Sequence, residues 1–124
     1  MYAGRRLTMA GSVDQMRKGT TSLMVLKLLM DAAAPLHGYE VIQRLKASSH
    51  GAIDFKEGLI YPTLHALEQK GLIEGNWAGD AGTRRRRLYS LTEKGRRQLD
   101  QDLERWQVLS RQVNLLLGLE VGQP

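Results

Sequence analysis

The 124-residue sequence predicts a mainly α-helical (α+β) domain: three short helices, a two-stranded β-hairpin and one long last helix. Three observations carry that prediction. Pro62 cannot donate a helical hydrogen bond, so it is placed in a first turn, and Gly71 lies just past the last apolar residue, where a left-handed cap is wanted; a helix therefore runs from Gly58 to Lys70. Leu72 to Trp77 and Arg84 to Leu91 flank the turn-rich Gly79-Asp-Ala-Gly82, the pattern of a hairpin. Thr92 is a good N-cap with Glu93 behind it, and the helix it opens reaches Leu117 before Gly118, about 39 Å at the usual rise per residue.

The remaining elements follow in chain order. Residues 1–18 mix Gly, Ser and charge without a sustained period, as a flexible N-terminal arm does; Arg5-Arg6 is followed by no apolar run of the kind a secretion signal needs. Thr20 to Ala33 is apolar nearly all round and stops before Pro35, which describes a buried central helix. His37 to Lys46 is a short amphipathic helix with Tyr39, Ile42 and Leu45 inward and Glu40, Gln43, Arg44 and Lys46 outward. Ser48-Ser-His-Gly51 breaks it, and Ile53-Asp54-Phe55 alternates as a short strand. Two helices across a break, followed by a hairpin, compose a winged helix-turn-helix domain over residues 19–91, leaving 92–124 as a C-terminal dimerisation helix and tail.

At about 100° per residue the Gly58 helix puts Ile60, Leu64 and Leu67 on one face and Gly58, Tyr61, Pro62, His65 and Gln69 on the other. An exposed helix ordinarily carries i,i+4 charge pairs on its outer face; aromatic, proline and histidine beside glycine suit a contact surface. Tyr61, Thr63 and His65 are candidate readers, able to hydrogen-bond phosphates or base edges. Eighteen Lys and Arg against thirteen Asp and Glu give a net charge of +5, which favours a polyanionic partner. The charge concentrates at Arg84, Arg85, Arg86 and Arg87, where strand alternation lets only one pair at a time face a phosphate backbone. Double-stranded DNA is the partner these features fit.

Along the last helix Leu99, Leu103, Trp106, Leu109, Val113 and Leu116 recur at steps of 4, 3, 3, 4 and 3, close to a heptad. A small domain cannot cover so long a stripe, and a second copy of the same helix can, so a homodimer is expected. Other functions find no support. There is no cysteine, and His37, His50 and His65 sit on different elements without ligand spacing, so no metal, no cofactor and no catalytic residue is expected. No Gly-x-x-x-x-Gly-Lys loop is present to cradle a nucleotide. The longest apolar run, Leu23 to Met30, is interrupted by Lys27 and too short to span a membrane; a cytoplasmic protein is expected.

Met16-Arg-Lys-Gly19 with the following leucines, Pro35-Leu-His-Gly-Tyr-Glu40, Gly58 with Ile60-Tyr-Pro62, Leu64-His-Ala-Leu-Glu68, Gly71-Leu-Ile73, Arg86-Arg-Leu-Tyr89 and Leu91-Thr-Glu-Lys-Gly95 occur in an order that resembles the PadR family of bacterial winged-helix transcriptional regulators. The resemblance covers roughly Met16 to Trp106. It implies a dimeric repressor whose Gly58 to Lys70 helix enters the major groove, whose wing reaches the neighbouring backbone or minor groove, and whose last helix dimerises. The single C-terminal helix is similar to that of the smaller subclass, in which some members enclose an apolar pocket at the dimer interface; this implies a small apolar or aromatic effector, with Trp106 in the flanking position. Leu59 and Ala66 depart from the family's usual residues. A winged-helix domain that docks on another protein through its basic wing is the rival expectation, and salt-dependent DNA binding separates the two.

Overall fold

The computed structural model describes residues 18–79 and 85–119. After a 3₁₀ turn at Lys18–Thr20, helix α1 spans Thr21–Asp31 and ends before Pro35. It buries Val25, Leu26 and Leu29, while Leu23, Met24 and Leu28 stay partly exposed at the rim of the core. The helix is thus central on one side only. Leu36–His37 forms a two-residue strand, β1, and His37 then caps α2 (Gly38–Ser48): its Nδ1 accepts from the Glu40 N–H at 3.3 Å, while the Glu40 carboxylate accepts from the His37 N–H at 3.1 Å. This reciprocal box satisfies two amides that a helix start leaves orphaned.

Two expectations for this region need correction. Val41, Ile42 and Leu45 make the inward face of α2, but Tyr39 is 53% exposed. Position 39 lies in the first turn, and its ring faces a cleft beside the sheet instead of the core. Ile53-Asp54-Phe55 forms no strand; Phe55 is buried and Ile53 packs partly buried against the core, so the two anchor the segment between the helices.

Helix α3 covers Glu57–Gln69 and directs Ile60, Leu64 and Leu67 into the core. With the helix starting at Glu57, Pro62 falls in its second turn and not in the first as expected, so the Gly58 carbonyl lacks its helical donor. Both residues lie on the exposed face, where a carbonyl without a helical donor is open to solvent and costs little. The other end closes as the sequence predicts: Gly71 takes φ +75°, with its N–H on the Glu68 carbonyl and the Leu72 N–H on the Leu67 carbonyl.

Strands β2 (Ile73–Ala78) and β3 (Arg86–Leu91) pair antiparallel, with Ile73 opposite Leu91 and Trp77 opposite Arg87. This is the predicted two-stranded wing, and β1 extends it into a three-stranded sheet by adding to the other edge of β3, Leu36 opposite Tyr89, in the order β1-β3-β2. Helix α4 runs Glu93–Leu117, capped by the Thr92 hydroxyl on the Gly95 N–H at one end and by Gly118 at φ +71° at the other. Its first turn is locked to the end of α3. Thr92 Oγ1 donates to the Gly71 carbonyl at 2.7 Å, Lys94 Nζ to the Lys70 carbonyl at 2.8 Å, and the Thr92 N–H to the Leu72 carbonyl at 3.1 Å.

Leu99 is fully buried in this chain's own core and Leu103 is partly packed against it, so the first step of the predicted interface stripe belongs to the domain itself. A leucine with no exposed surface cannot meet a partner. No helix among the described residues is long and apolar enough to cross a membrane.

Candidate nucleic-acid interface

The outer face of α3 is built by period alone: with Ile60, Leu64 and Leu67 buried, Gly58, Tyr61, Pro62, His65 and Gln69 are all left exposed. Tyr61 does not wave freely. Its ring lies against the backbone of Gly38, where an added Cβ would run into it, so the start of α2 serves as a rest for the tyrosine. His65 and Gln69, one turn apart, approach at 3.4 Å through their Nε2 atoms. Thr63 is half-buried and donates its hydroxyl proton to the Leu59 carbonyl at 2.7 Å, which leaves only acceptor lone pairs for an outside group.

Beside this face rises the wing. Among the four predicted arginines Arg84 lies outside the described residues, and the other three have separate fates. Arg85 is exposed and sits 5.9 Å over the ring of Trp77, itself 58% exposed. Arg86 is exposed, with its Nη1 3.0 Å from His37 Nε2 at the start of α2. Arg87 is bound in a half-buried ion pair with Glu68 of α3, and its guanidinium is held protonated above the ordinary arginine range first by the hydrogen bond to that carboxylate. The charge of Arg87 is thus matched within the chain by Glu68. Burial pushes the Tyr89 phenol up as well, with Glu68 adding to the effect.

Between α3, the start of α2 and the wing lies an open cleft of about 530 Å³, lined among others by Tyr39, Tyr61, Trp77, Arg85 and Arg86. Aromatic faces and guanidinium groups together can receive a sugar-phosphate chain: the cations meet phosphates, the rings pack on sugars. The sequence reading missed Tyr39, Trp77 and Gly38 here. The available signals were the exposed tryptophan position opposite an arginine and a glycine directly before Tyr39. Among the described residues, no three His, Asp or Glu side chains gather as metal ligands would.

A helix pair whose second member exposes its outer face, with a short antiparallel wing at its flank, defines a winged helix-turn-helix protein. Residues 25–101 match the transcriptional regulator PadR-like family. The chain belongs to that family of transcriptional regulators, which is non-enzymatic. It is 36% identical over 99 residues to the transcriptional regulator Rv3488 of Mycobacterium tuberculosis, covering 79% of this chain and 89% of that protein. Among solved structures it is similar to a PadR family transcriptional regulator from Eggerthella lenta, with TM-score 0.74 and 30% identity over 87% of this chain and 90% of the other. A PadR-like regulator from Bacillus cereus aligns with TM-score 0.68 and 31% identity over 86% and 99%.

Proposed function

We propose that the chain binds double-stranded DNA as a homodimer, with α3 in the major groove and the wing on the flanking backbone, and represses transcription until a small apolar or aromatic effector releases it. The observation that carries the DNA reading is the uncharged exposed face of Gly58, Tyr61, Pro62, His65 and Gln69 lying beside a wing whose Arg85 and Arg86 remain exposed. Small and hydrogen-bonding groups suit base edges, and the cations suit phosphates. Replacing both Arg85 and Arg86 with Ala should weaken binding to all duplexes alike and flatten the dependence on salt, whereas Tyr61→Phe or His65→Ala should change sequence preference at about 1 to 3 kcal/mol per lost base contact. Titrations between about 50 and 200 mM salt check this; affinity indifferent to salt would overturn it.

The dimer reading rests on the far half of α4. From Glu104 onward the helix projects about 21 Å, and Trp106, Leu109, Val113 and Leu116 are 44%, 53%, 42% and 87% exposed. So much contiguous apolar surface is the mark of an interface. In the dimer, Trp106 and its two-fold mate border the effector pocket, where a planar ring can stack. Trp77→Phe protein, with Trp106 as the remaining indole, titrated with planar aromatic compounds should show quenching together with weakened DNA binding, since linkage makes the two effects reciprocal. A broad panel that moves neither signal reduces Trp106 to dimer packing.

A further inference from the structure

An ion pair joins the groove-facing helix to the wing. Glu68, in the last turn of α3, accepts from Arg87 of β3 on both oxygens, from Nε at 3.4 Å and from Nη2 in closer contact. The two side chains are only 24% and 30% exposed. Gly75 of β2 makes room for them: a Cβ there would stand 2.7 Å from Arg87 Nε and 3.1 Å from Glu68 Oε2. Trp77, the cross-strand partner of Arg87, lies over the guanidinium with 5.3 Å between Cζ and the ring centroid. Carboxylate, bare backbone and indole thus hold one guanidinium plane on three sides. A two-pronged pair of this kind fixes orientation as well as distance.

We propose that Arg87 and Glu68 are positioning residues: they set the angle between the wing and α3, and Arg87 makes no phosphate contact of its own. This rests on the DNA reading above and refines it. A phosphate that drew the guanidinium away from Glu68 would leave a half-buried carboxylate beside a polyanion, an exchange with no net gain in matched charge. Arg85 and Arg86 carry no such obligation. The strut instead keeps β3, and with it Arg86 and the adjoining Arg85, at a fixed height beside α3, so that base contacts and backbone contacts form in one docking event.

The test is a set of fluorescence-anisotropy titrations of the full chain on a duplex spanning the DNA upstream of its own coding sequence, between about 50 and 200 mM salt. Arg87→Ala should weaken binding about tenfold at every salt concentration, with the slope of log K against log salt unchanged, while loss of a true phosphate contact lowers that slope by about 0.9. Arg87→Lys should behave like Arg87→Ala, because a lysine substitutes well for a phosphate contact and poorly for a planar fork. Glu68→Gln, a mild change that also guards against misfolding of the Arg87 variants, should weaken binding although it removes negative charge near DNA. A reduced slope for Arg87→Ala, wild-type affinity for Arg87→Lys, or tighter binding by Glu68→Gln each overturns the proposal and leaves the DNA reading intact. A wild-type chain that binds no duplex sinks both.

Discussion

Gly95→Ala is expected to destabilise the folded chain by about 3 kcal/mol, lowering the melting temperature by roughly 10 °C for a domain of this size. The sign is not obvious, since alanine is the better helix former by about 1 kcal/mol. Packing reverses it. A Cβ on Gly95 would run into the carbonyl oxygen of Leu72 and stand 2.8 Å from Leu91 Cδ1. The carbonyl cannot step aside, because it accepts from the Thr92 N–H at 3.1 Å, inside the same joint that ties Gly71 to Thr92 and Lys70 to Lys94. Relief requires α4 to move off the end of α3, giving up these hydrogen bonds and loosening Leu99 in the core. Gly58→Ala is the internal control: nothing lies within 4 Å of the position a Cβ would take, so helix propensity acts alone and stability should rise by up to about 1 kcal/mol. Equal melting temperatures for Gly95→Ala and wild type would show that the joint yields easily.

The joint also explains what could be read from the sequence. Gly71, Thr92 and Gly118 are local signals, each answering the needs of a helix end within three or four residues, and each stands where the sequence predicts. The outer face of α3 was legible for the same reason, since one buried stripe at 3.6-residue period leaves only one opposite face. Non-local events were not legible. β1 is two residues long and pairs with a strand some fifty residues away, so no periodicity could reveal it. Tyr39 has the spacing of a core residue, yet the cleft it faces exists only once the wing has folded. The four consecutive arginines looked alike, and the difference between Arg87 and its neighbours depends on Glu68 in another element. Gly75, a glycine inside a predicted strand, was the trace of that pair, because a missing side chain in a strand marks a close approach. On α4 the boundary between self-packing at Leu99 and exposure from Trp106 onward depends on how far the domain reaches, which no periodicity shows.

That boundary decides the second large effect, the outcome of placing a charge on the exposed half of α4. Leu109→Glu is expected to convert a dimer to a folded monomer and to lower affinity for a two-half-site operator by about 10² to 10⁴, the range lost when linked binding becomes single-site binding. Leu109 is 53% exposed within its own chain, so a carboxylate there meets water in the monomer and the melting of the isolated domain should change little. In a seam against a second copy's Trp106, Leu109 and Val113, two symmetry-related carboxylates are buried at once, which costs several kcal/mol through desolvation alone. Leu99→Glu gives the contrasting result: at 0% exposure it charges the core and unfolds the chain, so loss of binding there says nothing about dimerisation. Sedimentation at matched concentrations, run beside DNA titrations on one and on two half-sites, separates the cases. The variant should retain single half-site binding with Arg85, Arg86 and the face of α3 in place, and lose only the advantage of the second site. Leu109→Glu protein that sediments like wild type and holds the full operator with unchanged affinity places the interface elsewhere, and leaves the exposed leucines of α4 to another partner.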